Sequence, residues 1–407
     1  MKKLLLAVLS VCLFVVAFGA VEITYMNYSA LPSHEETLKL IVKEFEKQNP
    51  GIKIKLVNVP WDDYFLKLST SFAGNDAPDT FEINYENFVE YASDGLLLPL
   101  DSLNKQFNFN ANEIFAEKAY KAFSHNAVQY GFPEKFSTVV LFYNKKLFDE
   151  KKLAYPTNNW TWKEEMEAAK KLTDSKKGIW GVYQPVQFWE FYKVLTQAGG
   201  SFITANKASL NSKAGIDAVN WLVDKQKLGV MPTDAQAGGL KSEDLFVAGK
   251  VAMVHTGIWM FKMFRDEASF DWDIVVEPGM ESKGTHYFVD GVVASKNTKH
   301  KEEAWKWIKF LTTSEYNAKL RYEKGWELPA ISNEKYLEPF LTEKSKPANK
   351  KAIFESLSYS SLPPVIKGWS ALSDIVNKEL SDVALGNKTA QDALKAIDIE
   401  INKKLGK

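Results

Sequence analysis

The tripeptide Gly257-Ile258-Trp259 lies in the run VAMVHTGIWMF, where eight of eleven residues are apolar. A flat indole placed just past a buried strand is well suited to lie against the C–H face of a ligand. The same pattern describes a tryptophan packed under the next helix, whose Met260, Met263 and Phe264 are apolar, and the stretch alone leaves both readings open. Groups for bond-making chemistry are not arranged in the sequence. There is no Gly-x-Ser-x-Gly, Walker loop, His-Glu-x-x-His or Cys-x-x-Cys. The histidines His34, His125, His255, His286 and His300 share no metal-ligand spacing. Carboxylates abound, and glycoside hydrolysis needs only a pair about 5 to 10 Å apart. Any single Asp or Glu is more often simply solvated.

Elements must position such residues. VEITYMN reads as an opening strand, and SHEETLKLIVKEFEKQ as a helix with Leu38, Ile41, Val42 and Phe45 on one face. Asn49-Pro50-Gly51 stops it. IKIKLV alternates Ile52, Ile54 and Leu56 with lysines, as a half-buried strand does. A helix opens at Trp61, TFEI is a short strand, and ENFVEYASDG is a helix closed by Gly95. Residues 131–143 read as one extended segment. TWKEEMEAAKKL carries a capping box, Thr161 with Glu164. SEDLFVAGKVAMVHTG reads as helix, stop at Gly249, then strand, with Gly257 letting the chain turn. FDWDIVVEPG and YFVDGVVASK are strands. In KEEAWKWIKFLTT, Ala304, Trp307, Ile308 and Leu311 form an apolar stripe. Strands alternating with helices predict an α/β protein whose mostly parallel sheets are covered on both faces.

At 407 residues the chain has room for two to three domains. It opens on MKK and the apolar run LLLAVLSVCLFVVAF, with Ala17 and Gly19 two apart. That pattern is an export signal cut near Gly19 or Ala20, giving a periplasmic or otherwise extracytoplasmic product. The one cysteine, Cys12, lies inside the signal, so the mature chain has no thiol chemistry. Without Lys2 and Lys3 the basic side chains number 49 against 51 acidic, a balance that offers nucleic acid nothing. Only Arg265 and Arg321 are arginines, which weakens a carboxylate or phosphate ligand. Tryptophans number 12, and flat rings in excess suit a ligand with flat C–H faces.

Several phrases stand in one order: EFEKQNPGIKIKLVNVPWDDYFLKL, AGNDAPDTFEI, YASDGLLLPLD, PEKFSTVVLFYNKKLFDE, TWKEEMEAAKKLT, DLFVAGKVAMVHTGIW, KEEAWKWIKFLTTSE, GWELPA and LSDVALGNKTAQDAL. In that order the chain resembles the extracellular solute-binding proteins of family 1, the maltose-binding-protein group that feeds sugars to ABC importers. The resemblance implies the two-lobed periplasmic-binding-protein fold (type II). Each lobe is a mixed, mostly parallel sheet flanked by helices, with ligand held between lobes joined by three crossings. Carried over, 1–19 is the signal peptide, 20–133 plus 275–314 the first lobe, and 134–274 plus 315–407 the second. The crossings fall near 133–137, 272–276 and 313–317.

The resemblance also nominates residues. Trp259 matches a sugar-stacking Gly-x-Trp. Trp369 aligns with a second stacking tryptophan, and Phe188 with Trp189 covers a third aromatic platform. Gln187 stands where relatives carry a ligand-binding Glu. In the first lobe, Asn27, Tyr28 and Ser29 occupy a turn that is charged in relatives. Asn84, Tyr85, Glu86 and Asn87 cover another contact loop, with helix capping by Asn84 and surface polarity as the plain alternative. Ser137 replaces a hinge Glu, and Asp290 and Trp326 are nominated by loop position. Trp61, Trp305 and Trp307 are read as structural.

The expectation is therefore binding without chemistry: aromatic faces on pyranose rings, polar side chains on hydroxyls, then closure and delivery to a membrane permease. A monomer with no cofactor and no metal is expected. The rivals are a secreted glycoside hydrolase or lyase, and a relative that binds a non-sugar ligand such as a polyamine.

Overall fold

A computed structural model of the protein describes residues 19–28, 32–324, 326, 328–331, 336–363, 365 and 368–406. Residues 1–18, all but the last of the segment expected to be an export signal, and Ser29 lie outside the described residues.

The larger sheet has six strands in the order Leu328–Pro329, Gly131–Ser137, Phe288–Ala294, Thr80–Asn84, Val21–Asn27 and Ile52–Asn58. Val21–Asn27 runs parallel to both Ile52–Asn58 and Thr80–Asn84. The helices Pro32–Gln48 and Trp61–Ala73 connect these strands, as parallel neighbours require. The other three pairings are antiparallel. A second sheet orders Met253–Gly257, Val139–Asn144 and Trp272–Val275, all antiparallel. The larger sheet is mixed and the second wholly antiparallel, so within these two sheets the expected parallel bias holds only among the first three strands of the chain. Phe288–Ala294 re-enters from the second lobe and so runs against both its neighbours.

The crossings are sharper than the sequence suggested. Residues 131–143 are two strands, Gly131–Ser137 in the first sheet and Val139–Asn144 in the second, with Thr138 between them. The first lobe therefore keeps 134–137. The second crossing lies between Val275 and Phe288. The third is displaced from 313–317. Helix Glu315–Glu323 packs on Pro32–Gln48 and Lys301–Thr313, and Leu328–Pro329 extends the first sheet beside Gly131–Ser137. The first lobe thus keeps the chain through Ile331, which also bridges Phe115.

The stripe of Lys301–Thr313 is buried as its spacing predicts, with Trp307 edge-on to Tyr25 at 5.4 Å. Trp305 is buried as well, stacked on Phe107 at 4.4 Å. The capping box at Thr161 forms: its backbone N–H donates to Glu164 Oε2 at 2.8 Å. Among the described residues no helix is long and apolar enough to cross a membrane.

Candidate functional site

Helix Phe188–Gln197 buries Phe188, Phe191, Val194 and Leu195 and leaves Trp189 half-buried at its start. Its first turn lacks a cap of its own. The Phe188 backbone N–H donates instead to Asn377 Oδ1 at 2.7 Å, from helix Trp369–Ala384. This tertiary cap fixes the two tryptophan-bearing helices together, satisfying an end that local sequence left open. Phe188 then meets Trp369 edge-on at 4.7 Å, and Trp189 lies 6.2 Å from Trp369. Trp369 itself is buried. Gln187, the N-cap residue, is exposed and makes no cap bond.

Trp259 sits in a one-turn 3-10 helix, Ile258–Met260, after strand Met253–Gly257, half-buried. Gly257 has φ −92° and ψ 168°, extended backbone open to any residue, so turning the chain is not its role. Phe288 stands between the platforms, 5.5 Å from Trp189 and 5.7 Å from Trp259. Across the sheet Phe288 is paired with Ser137, whose buried hydroxyl makes no hydrogen bond within the described chain. Trp189, Trp259, Trp369 and Ser137 are thus gathered where the chain crosses between lobes.

The first lobe supplies a polar wall. Strand register sets Asn84, Asp290 and Lys135 in one row across three strands. Lys135 Nζ lies 2.6 Å from Glu82 Oε1 and 3.6 Å from Asp290 Oδ2. It also sits 5.2 Å over the Tyr28 ring, while the Tyr28 backbone N–H donates to Glu82 Oε2 at 3.2 Å. Asn27 donates to Asn58 Oδ1 at 2.7 Å. Asn87 donates to Asn84 Oδ1 at 2.8 Å, so Asn84 holds the N-cap position of helix Tyr85–Ser93 without capping its backbone. Tyr85 is half-buried, and Glu86 is buried. Burial pushes the Glu86 carboxyl up to about 8; its own backbone N–H opposes this and the Asp290 charge adds to it. Asp290 lies on a strand beside a register shift at Gly291, not in a loop. Trp326 stands behind the wall, buried, stacked on His34 at 4.7 Å with the Arg321 guanidinium 4.0 Å above its ring. Trp61, read as structural, is half exposed and edge-on to Tyr28 at 5.0 Å.

The lobes touch across this space. Helix Tyr85–Ser93 of the first meets Trp369–Ala384 of the second, and Asp62 and Lys241 face each other at 3.9 Å on the rim. The result is an aromatic floor, an uncharged-amide and carboxylate wall, and hinges at its base. Such interlobe clefts are where small ligands bind.

Comparison with known proteins decides the family. The model of the bacterial extracellular solute-binding proteins matches residues 31–318. The chain belongs to that family. An ABC substrate-binding protein from Listeria monocytogenes, solved in complex with cycloalternan, is 45% identical, with 95% of this chain and 99% of that one covered and a TM-score of 0.91. A galactooligosaccharide-binding protein of Bacillus subtilis is 25% identical over 88% of this chain and 84% of its own. A solute-binding protein from Thermotoga lettingae bound with alpha-D-tagatose is 24% identical, covers 95% and 100%, and shares the fold at a TM-score of 0.83.

In this solute-binding protein several residues at the cleft escaped the sequence reading. Phe288 lies two residues before Asp290 on the same strand, and strand alternation puts both on one face. Asp290 alone was singled out, although the alternation carried Phe288 with it. Lys135 was hidden because the hinge was read through Ser137 alone. Tyr192, stacked on His286 at 5.4 Å, and His286, buried among Trp189 and Phe288, had no signal in sequence.

Proposed function

We propose that this solute-binding protein captures an oligosaccharide between its lobes and delivers it to the membrane permease of an ABC importer. The observation that carries the reading is the cluster of Trp189, Phe288 and Trp259, in which Phe288 stands edge-on to both indoles at 5.5 and 5.7 Å. Successive rings suit successive pyranose faces, since aromatic carbon surfaces take up C–H faces while keeping their edges polar. Asn84, Asn87, Gln187, Ser137, Glu86 and Asp290 supply hydrogen-bond partners of both kinds for hydroxyls. Pairing every desolvated hydroxyl sets the choice of sugar. Cycloalternan in the Listeria relative supports an oligosaccharide over a single sugar. Trp259, Trp189 and Tyr85 are assigned to the ring faces, and Trp369, buried against Phe188, backs them rather than offering an open face. Asn27 extends the polar wall, Trp326 backs it, and Ser29 remains a ligand contact nominated by the family resemblance alone. Export through the segment 1–19 would place the monomeric protein outside the cytoplasm, and N-terminal sequencing of the secreted chain checks the cut near Ala20.

Calorimetry and thermal shift with cycloalternan, maltotriose, mannotriose, spermidine and divalent cations test the reading. A saccharide at about 100 times its Kd should stabilise the fold by about 2.7 kcal/mol. A response to spermidine or cations alone overturns it. New reducing ends released from a bound saccharide would assign the site to a hydrolase instead.

A further inference from the structure

Behind the aromatic floor the second lobe encloses a set of charges. Glu165, Glu190, Lys193, Lys225, His255 and Glu277 are each buried. His255 Nδ1 lies 2.9 Å from Glu277 Oε2, and His255 Nε2 lies 3.0 Å from Glu165 Oε1. Lys193 Nζ lies 2.7 Å from Glu190 and 2.6 Å from Glu277. Lys225 Nζ lies 3.0 Å from Glu165 Oε1 and 3.9 Å over the Trp221 ring. Gln184 donates to Glu190 at 2.7 Å and accepts from Lys225.

Two features make this more than a collection of ion pairs. Both imidazole nitrogens of His255 face carboxylates, and a carboxylate only accepts, so both nitrogens must carry hydrogen. With that proton the set holds three acids and three cations and is neutral; without it one negative charge is left unbalanced in the interior. The members also sit on the elements that build the cleft. His255 is on the strand Met253–Gly257, four residues before Trp259. Glu190 and Lys193 are on the helix that begins at Phe188 and Trp189. Glu165 and Lys225 come from the helices Trp162–Leu172 and Lys213–Lys227, and Glu277 from the chain leaving the second lobe.

We propose that His255 is a positioning residue of the ligand cleft: clamped as an imidazolium between Glu165 and Glu277, it holds the strand that leads into Trp259 in register, through Glu277 and Lys193, with the helix carrying Trp189. This rests on the saccharide reading of the cleft, but its first readout needs no ligand. The carboxylates around His255 raise its pKa against the opposing effect of burial. Lys193 and Lys225 face the same carboxylates, and Lys193 also opposes charge on His286. The raised value fixes the sign: the clamp is whole at and below the ordinary histidine range and is lost as pH rises through the folded-state value.

The test begins with nitrogen NMR of the imidazoles and the indole signals of Trp189 and Trp259 in the ligand-free protein, from about pH 6 to about pH 10. The His255 ring should stay doubly protonated at neutral pH, and both indoles should shift together when it loses its proton. Cycloalternan and maltotriose are then titrated by calorimetry across the same range. Whichever saccharide binds should weaken by about tenfold or more over the alkaline step. His255→Gln should bind weakly at every pH with a flat profile. Glu277→Gln, which keeps an acceptor oxygen beside the ring but removes its negative charge, should move the step to lower pH, and serves also if the first variant does not fold. A neutral His255 at pH 7, indoles indifferent to its titration, or His255→Gln with wild-type affinity overturns the proposal. If neither saccharide binds the wild type, the saccharide reading fails while the NMR still decides the clamp.

Discussion

The indole of Trp259 lies across the α-carbon of Gly257. A Cβ built on Gly257 would meet three ring carbons of Trp259 at 1.8 to 2.3 Å. The glycine is required by this contact, not by its backbone angles, which any residue could adopt. Gly257→Ala should therefore leave the strand intact and push the ring off its seat. Trp259→Ala removes the ring altogether. Each should weaken saccharide binding by about tenfold or more with little loss of stability. Calorimetry beside thermal melting checks both, and wild-type affinity in either variant removes Trp259 from the site.

Phe288 holds Trp189 and Trp259 apart at a fixed spacing. Phe288→Ala should cost about 2 to 3 kcal/mol of stability, below the usual range for a fully buried Phe because this ring is only partly covered. Phe288→Leu should restore most of the stability but not the affinity, because the bulk returns without the flat face. Urea unfolding and calorimetry on the pair separate the two effects. Equal recovery of both would make Phe288 a packing residue only.

Lys135 is the cation for Glu82 and Asp290 within the polar wall. Lys135→Met leaves buried Glu82 without it and should destabilise the protein by about 3 to 5 kcal/mol. Adding Glu82→Gln should recover a large part of that loss. A double variant no more stable than Lys135→Met in urea would show that the pair is not coupled.

Glu86 carries a pH dependence of its own. Its folded-state value of about 8 stands above the ordinary 4.5, so between them the folded protein keeps a proton that the unfolded chain has released. Stability from this group is greatest in mild acid and falls as pH rises toward 8. Glu86→Gln should flatten that slope while preserving the hydrogen-bonding shape. Melting temperatures of the two proteins at about pH 5 and about pH 8 settle it: parallel curves would mean that Glu86 ionises freely.

Local pattern revealed much of the scaffold. The stripe of Lys301–Thr313, the capping box at Thr161 and the alternation of Ile52–Asn58 each depend on spacing within one element, and each formed as read. Boundaries between lobes were less legible. Leu328–Pro329 is a two-residue strand, too short for any period, yet it decides where the first lobe ends. Which pairings run antiparallel was hidden for a related reason: direction in a sheet follows from where a strand re-enters, and no window of residues records that.

The sequence by itself determined the apolar strand before Trp259, the wealth of flat rings and the family order of motifs, because these are properties of residue type and spacing along the chain. Only the tertiary structure decided which rings share a floor. Phe288 reaches Trp189 and Trp259 from a strand of the other lobe, Asn377 caps the helix of Trp189 from far along the chain, and His255 finds Glu165 and Glu277 across three elements. Those contacts are long-range pairings, fixed by how sheets and helices pack on one another.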